Sequence, residues 1–193
     1  MRLAVLVSGG GTTLQNFLDR IADGSLDARI EVVVSSNSTA FALERARTAG
    51  IDTHVVRRRD YETPEAFSEA ITAVLAGYDI DLVLGAGFMQ RYVFPKHYEG
   101  RMLNTHGALL PKFGGQGMWG HHVHEAVLAA GETESGCTVH IADHVYDHGP
   151  ILVQKKVPVL PDDTPETLAA RVQEAEREAY PEAIQMMATR LGL

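Results

Sequence analysis

Continuous apolar runs alternate along the chain with stretches in which apolar residues recur every three or four positions. The first run, residues 2–8, ends in glycines and is typical of a strand that is buried on both faces. Leu14, Phe17, Leu18 and Ile21 follow at the spacing of one helix face, so a helix is predicted directly after this strand.

The same reasoning predicts the other elements of the chain. Strands are predicted at residues 2–8, 29–36, 52–56, 80–87, 100–106, 136–143 and 151–159. Helices are predicted at residues 13–22, 40–49 and 123–131, from Thr63-Pro64 onward, and from Thr164-Pro165 onward with a second helical series beyond Pro181. Thr63 and Thr164 suit the N-cap position, and the proline after each suits the first helical turn.

The order of these elements predicts an α/β fold. Strands and helices alternate through the first half, which requires crossover connections and therefore a doubly wound, mostly parallel central sheet with helices on both faces. The two closely spaced strands within residues 136–159 predict that part of the sheet is antiparallel or mixed. No linker-like segment divides the chain, so a single domain over residues 1–193 is expected.

Composition narrows the class of protein. Hydrophobic content of 45% and charged content of 22% are typical of globular proteins, and a net charge of −8 gives no general attraction for nucleic acid or anionic membrane. The single cysteine, Cys137, excludes an intrachain disulfide and reads as a packed strand residue. The start is too short for a signal peptide and no run is long enough for a membrane span, so a cytoplasmic location is expected.

Asn104 and His106 stand at the end of the predicted fifth strand. Residues two apart in a strand project to the same side, so these side chains should point together. An amide donates hydrogen bonds, and an imidazole can donate or accept a proton near neutral pH. The pair could therefore polarise a carbonyl and move a proton; the alternative is a capped strand end with a surface histidine.

The segment SGGGTTLQ, residues 8–15, connects the first strand to the first helix. Its glycines allow backbone N–H groups to approach an anion, and the helix N-terminus adds a positive dipole. Leu14 breaks the dinucleotide-binding glycine pattern, and no Gly-Lys-Ser/Thr sequence marks a P-loop. The segment is either a phosphate-binding loop or only a tight turn.

Asp147 lies in the loop HVYDHGP, residues 144–150, where it could orient a facing histidine or serve only turn chemistry. Six histidines between residues 121 and 148 raise the question of a metal site. His140, His144 and His148 recur every four residues, but in strand and loop that spacing does not align them on one face. No zinc-protease pattern or cysteine pair is present, so no metal site is predicted.

Five segments in this order resemble the phosphoribosylglycinamide formyltransferase family across nearly the whole chain. They are SGGGTTLQ (8–15), AGFM (86–89), LNTHGALLP (103–111), GCTVHIADHVYDHGPILVQ (136–154) and RVQEAEREAYP (171–181). The Asn-x-His…Leu-Leu-Pro and Asp-x-Gly-Pro elements are shared with other enzymes that use 10-formyltetrahydrofolate. The first and last segments narrow the match to the enzymes of glycinamide ribonucleotide.

The resemblance implies a set of site residues. Asn104, His106 and Asp147 match the family's catalytic trio. The ribonucleotide, including its phosphate, is implied to bind at Gly11, Thr12, Thr13, Gly87 and Glu176. Folate is implied to bind at Phe88, Met89, Gln90, Asn104, Val139, His140, Ile141, Ala142, Asp143 and His144. No metal and no tightly bound cofactor are implied, since 10-formyltetrahydrofolate is a cosubstrate.

The implied activity is transfer of a formyl group from 10-formyltetrahydrofolate to the amino group of glycinamide ribonucleotide in purine synthesis. Two small-molecule substrates and a monomer or homodimer are expected. One alternative is a hydrolase that deformylates the same folate, although such enzymes usually carry an extra N-terminal domain and this chain begins at its first strand. The other alternative is a non-catalytic folate- or nucleotide-binding module.

Several positions depart from the family pattern without touching the trio. Gly107 and Ala108 stand where proline and serine are usual, and the segment 90–95 is shorter than the common version. Pro64 replaces an arginine that sometimes contacts the phosphate. An arginine of the run 57–59 is the substitute that the sequence offers.

Overall fold

The computed structural model describes all residues, 1–193. The chain divides into two compact units, Met1–Leu103 and Asn104–Leu193, with the boundary inside the fifth strand. The interpretation of residues 1–193 as one domain stays a prediction.

Seven strands and five α-helices make up the chain. The strands are β1 Arg2–Val7, β2 Arg29–Ser35, β3 Asp52–Val55, β4 Leu82–Gly85, β5 Met102–His106, β6 Glu134–Ile141 and β7 Ile151–Pro158. The helices are α1 Thr12–Ala22, α2 Phe41–Thr48, α3 Pro64–Leu75, α4 His121–Ala129 and α5 Pro165–Leu191. The strand order in the sheet is β3-β2-β1-β4-β5-β6-β7.

In the first unit, β1 pairs in parallel with both β2 and β4, and β2 pairs in parallel with β3. The side chains from Leu3 to Val7 are fully buried, which accounts for the continuous apolar run that predicted this strand. Alternating strands and helices joined by parallel crossovers confirm the α/β prediction.

Local chemistry sets the helix boundaries of this unit. The Thr63 hydroxyl accepts a hydrogen bond of 3.1 Å from the N–H of Ala66, and Pro64 occupies the first turn, as the sequence predicts. Helix α1 instead begins after Gly11, whose φ of 72° lies in the left-handed region. A Cβ at Gly11 would lie only 2.6 Å from the Cβ of Ala42, so glycine also lets α2 approach the loop.

In the second unit, β6 and β7 pair antiparallel, which confirms the mixed region predicted from their short separation. Helix α5 packs against both strands and against α4. The Thr164 hydroxyl and the Thr167 hydroxyl cap each other's backbone N–H groups at the start of α5.

Two helices differ from their predictions by more than one residue at an end. Helix α4 begins at His121 rather than at residue 123, and α5 continues through Pro181 as one helix of 27 residues. Proline removes one backbone hydrogen bond, but buried Tyr180 and Ile184 on either side of it hold the helix in place by packing. No helix of the structure combines the length and the apolar character that crossing a membrane requires.

Candidate active site

The structure brings the three residues of the predicted trio together within the second unit. Asn104 Nδ2 lies 3.4 Å from His140 Nε2, and that nitrogen lies 3.7 Å from Asp147 Oδ1. The other carboxylate oxygen, Oδ2, lies 3.5 Å from His106 Nδ1. The carboxylate of Asp147 therefore stands between two imidazoles, one of which contacts the amide of Asn104.

The imidazole of His106 is held at both of its nitrogens. Nε2 lies 2.7 Å from the backbone carbonyl of Phe113, and because a carbonyl only accepts, Nε2 carries the proton of this bond. Nδ1 is left to face Asp147, and the side chain is 5% exposed. A proton on Nδ1 would therefore point toward the Asp147 carboxylate. Because 3.5 Å is long for a hydrogen bond, the same N–H can also donate to a substrate atom.

The loop between β6 and β7 presents Asp147 in an uncommon backbone conformation. Its φ is 53°, in the left-handed region that aspartate and asparagine tolerate better than most residues. The N–H of Gly115 donates a hydrogen bond of 3.0 Å to Oδ2. Burial raises the pKa of this carboxyl, but the contact with His140, the charge of His106 and the Gly115 N–H outweigh burial and lower the pKa. Asp147 is therefore a carboxylate at neutral pH.

His140 has a more central place than the sequence interpretation gave it. The resemblance assigned it to the folate pocket, whereas its side chain, 2% exposed, lies between Asn104 and Asp147. Its Nδ1 is also 3.4 Å from the carbonyl of Ile141. Thr138 and His140, two apart among the apolar residues at the end of β6, are the sequence signal that could have indicated this side of the strand.

Thr138 and Gln154 fix the segment that follows His106. The Thr138 hydroxyl donates to the carbonyl of Ala108 at 2.6 Å and accepts from the N–H of Leu110 at 3.0 Å. The Gln154 amide donates to the carbonyl of Leu110 at 2.9 Å and to the Thr138 hydroxyl at 3.0 Å. These bonds satisfy buried backbone groups and hold the chain beside the trio. Sequence reasoning assigned neither residue.

Gly107 lies against a buried histidine. A Cβ at this position would lie 3.4 Å from Cε1 of His124, in van der Waals contact, and His124 is itself buried. Nδ1 of His124 has no hydrogen-bond partner, and burial, followed by the charges of His106 and His121, lowers its pKa. Residue 107 is therefore a glycine, where the family usually has proline, at a position against which the His124 imidazole packs.

The residues implied for folate are divided between the two units. In the second unit Val139, His140 and Ile141 are buried in β6, Ala142 and Asp143 are half-buried, and His144 is exposed. In the first unit Phe88 stacks on Phe67 at 6.3 Å, Met89 is exposed and Gln90 is half-buried. The folate role of each residue stays a prediction.

The glycine loop 8–13, in the first unit, presents exposed backbone ahead of α1. Gly9 and Gly10 are exposed, and the Ser8 hydroxyl accepts from the N–H of Met89 at 2.9 Å. Arg45 is the cation that touches this loop: its Nε donates to the carbonyl of Gly10 at 2.9 Å. Sequence reasoning overlooked Arg45 because the contact spans 35 residues.

Two of the three arginines proposed from the sequence make local contacts, and the phosphate role of the run 57–59 stays a prediction. Arg57 pairs with Asp60 at 2.7 Å, and Arg58 donates to the carbonyl of Tyr61 at 2.6 Å, around a short 3-10 turn at Arg58–Asp60. Gly87, at a φ of 68°, is exposed in the segment after β4.

Glu176 is half-buried in α5, in the second unit, and its negative charge interacts electrostatically with the Cys137 thiol. Burial, followed by the charge of Glu176, raises the pKa of the Cys137 thiol to about 11. A fully buried thiol that stays protonated at neutral pH is a packing residue rather than a nucleophile, in line with the sequence interpretation.

Comparison with known proteins identifies the family. The family described as "Formyl transferase" matches residues 1–184. The chain is 37% identical over 190 residues to phosphoribosylglycinamide formyltransferase of Escherichia coli (strain K12), an alignment that covers 97% of this chain and 87% of that protein. It is also 41% identical to the trifunctional purine biosynthetic protein adenosine-3 of Drosophila pseudoobscura pseudoobscura and 39% identical to the human protein of that name, but spans only 14% and 18% of their lengths.

Solved structures give the same result. Glycinamide ribonucleotide transformylase 1 from Symbiobacterium toebii superposes with a TM-score of 0.90 at 40% identity, covering 98% of this chain and 88% of that one. Phosphoribosylglycinamide formyltransferase from Brucella melitensis superposes with a TM-score of 0.87 at 41% identity, covering 97% and 95%. The chain therefore belongs to the phosphoribosylglycinamide formyltransferase family of formyl transferases.

Proposed function

We propose that this protein transfers the formyl group of 10-formyltetrahydrofolate to the amino group of glycinamide ribonucleotide, a reaction of purine synthesis. The observation that carries the proposal is the buried cluster in which Asp147 faces His106 and the Asn104 amide lies beside His140. An amide donor, an imidazole and a carboxylate can together stabilise the oxyanion and move the protons in acyl transfer to an amine.

The reaction begins when the amine nitrogen attacks the formyl carbon and the carbonyl oxygen becomes an oxyanion. The Asn104 amide has two N–H groups, of which one at most is directed at His140 Nε2, so the other can donate to the oxyanion. The second donor is Nδ1–H of protonated His106, since Nε2 is occupied by the Phe113 carbonyl. Donors fixed before the charge develops stabilise it without reorganisation.

Collapse of the intermediate breaks the bond between the formyl carbon and N10 of the folate. The amine loses a proton, N10 gains one, and the products are a formamide and tetrahydrofolate. Asp147, ionised and held by Gly115, keeps His106 oriented and supports this proton movement. None of these steps calls for a metal ion or a covalent enzyme intermediate, and the folate is consumed as a cosubstrate.

Acceptor dependence separates this function from its two alternatives. We expect release of tetrahydrofolate only when glycinamide ribonucleotide is present, measured by the change in folate absorbance. Equal release without the ribonucleotide would identify a hydrolase. Binding of either ligand without turnover would identify a non-catalytic module.

The expected partners, location and oligomeric state follow from the net charge and the family. With a net charge of −8 the protein should act on small molecules and bind neither nucleic acid nor anionic membrane. A cytoplasmic location and a monomer or homodimer belong to the same proposal.

The ribonucleotide phosphate is proposed to dock on the glycine loop 8–13. Backbone N–H groups of Gly11, Thr12 and Thr13 precede or open α1, where the helix dipole favours an anion. The guanidinium of Arg45, fixed against Gly10, adds a positive charge beside the loop. Glu176 remains the proposed contact for the glycinamide end.

We expect Gly10→Val to raise KM for the ribonucleotide strongly and to leave KM for the folate nearly unchanged. A Cβ at Gly10 meets nothing within 4 Å, so we expect the added side chain to leave the fold intact and to occupy the space proposed for the anion. Thr12→Ala should be mild, roughly 0.5–1.5 kcal/mol, because the main donors are backbone groups. Steady-state titration with each substrate measures both effects.

Gly11→Val is the less informative variant. Its Cβ would collide with Ala42 and its φ is left-handed, so it would disturb the packing of α2 as well as any anion site.

An equal rise of both KM values in folded Gly10→Val would mean that the phosphate does not bind at the glycine loop.

A further inference from the structure

Three side chains of types that can ligate a metal converge at the start of α4, and none of them has a role in the proposed reaction. His121, His122 and Glu125 each offer one donor atom, and these atoms lie within 4.8 Å of one another. His122 Nδ1 is 3.2 Å and His121 Nε2 is 3.9 Å from the two oxygens of the Glu125 carboxylate. We name these three residues the α4 cluster.

Helix geometry explains the convergence. Residues three and four apart lie on the same helix face, which brings Glu125 beneath both imidazoles. His121 is the first residue of the helix and follows Gly120, so no preceding helical turn restricts its side chain. The two rings consequently lie 4.4 Å apart, centre to centre.

Charge and accessibility favour a cation at this place. The three side chains are 60%, 45% and 52% exposed, so an ion can enter from solvent and complete its coordination with water. Glu166, in the first turn of α5, lies within electrostatic reach of His121 and adds a second carboxylate to the surroundings.

We propose that the α4 cluster binds one divalent transition-metal ion of the zinc, nickel and copper class. Two imidazole nitrogens and one carboxylate are ligands that these ions accept, whereas magnesium and calcium prefer oxygen alone. The sequence analysis predicts no metal site, and the proposal departs from that prediction. The cluster shares no residue with the trio, so the proposed formyl transfer itself still requires no metal. His124, a third histidine of the same helix, is buried and is not part of the cluster.

The only tryptophan of the chain supplies the readout. The Trp119 ring meets the His122 ring edge-on, 4.9 Å away centre to centre, and a bound copper or nickel ion would therefore quench its fluorescence. The experiment titrates the full chain, free of any histidine tag, with Cu²⁺ and Ni²⁺. Zn²⁺ is followed by calorimetry, and Mg²⁺ is the ion expected not to bind.

We expect saturable quenching at one equivalent, weakened at least about tenfold in His122→Gln and in Glu125→Gln, since even outer-shell changes at metal sites cost that much. His148→Gln is the matched control, because His148 is also exposed and also pairs with a carboxylate, that of Asp143. Formyl transfer should be the same with and without a chelator. Absence of saturable quenching, or the same affinity in both cluster variants as in the parent, would overturn the proposal.

Discussion

Replacing His106 by alanine should lower kcat for formyl transfer by roughly 10²–10⁴-fold, the usual contribution of a general acid–base group, and change both KM values little. The reason is that Nδ1–H of His106 meets developing charge, which exists only in the transition state. The Phe113 carbonyl would lose this hydrogen bond and the Asp147 carboxylate one of its contacts, so the melting temperature of the variant must be measured beside its kinetics.

The matched control for this variant is His97→Ala, since His97 is exposed and is not one of the residues around the catalytic trio. Its kinetics should equal those of the parent protein. A folded His106→Ala protein that turns over within a few-fold of the parent would contradict the role assigned to this imidazole.

Asp147→Asn should lower kcat by a comparable factor, about 10²–10⁴-fold, with the fold retained. Asparagine tolerates the φ of 53° and its amide oxygen can still accept from the Gly115 N–H, so the change removes the charge and leaves the loop. Asp147→Ala is less suitable, because it also introduces backbone strain at a positive φ.

The lowered pKa of Asp147 fixes the sign of its pH dependence. Its carboxylate form is the favoured one in the folded protein, so the stability it contributes is present above the ordinary pKa of 3.8 and is lost as the pH falls through the lower folded value. The parent should therefore lose more stability than Asp147→Asn on acidification. Equal acid sensitivity, or unchanged turnover in the variant, would count against an ionised, catalytic Asp147.

The fold could be predicted from the sequence because its central strands are buried on both faces. Val5 and its neighbours in β1 give an uninterrupted apolar run, and Thr63-Pro64 and Thr164-Pro165 mark helix starts by the chemistry of the first turn. The continuous course of α5 through Pro181 could not be predicted, because tertiary packing overrides the local preference of proline.

The site could be predicted only in part, because many of its contacts depend on tertiary packing. The spacing of Asn104 and His106 indicates a shared side of a strand, but the partners of these residues are distant in sequence or belong to the backbone. The carbonyl of Phe113 and the N–H of Gly115 carry no side-chain signature, and the contact of Arg45 with Gly10 depends on how α2 packs. Such contacts exist only once the chain has folded.

The product balance of one reaction shows whether the protein transfers the formyl group to the amine. The protein, 10-formyltetrahydrofolate and glycinamide ribonucleotide are combined, and tetrahydrofolate, formylated ribonucleotide and free formate are quantified at several times. Direct transfer to the amine predicts equal amounts of tetrahydrofolate and formylated ribonucleotide with no formate. Formate in amounts equal to tetrahydrofolate, with no formylated ribonucleotide, would contradict the account.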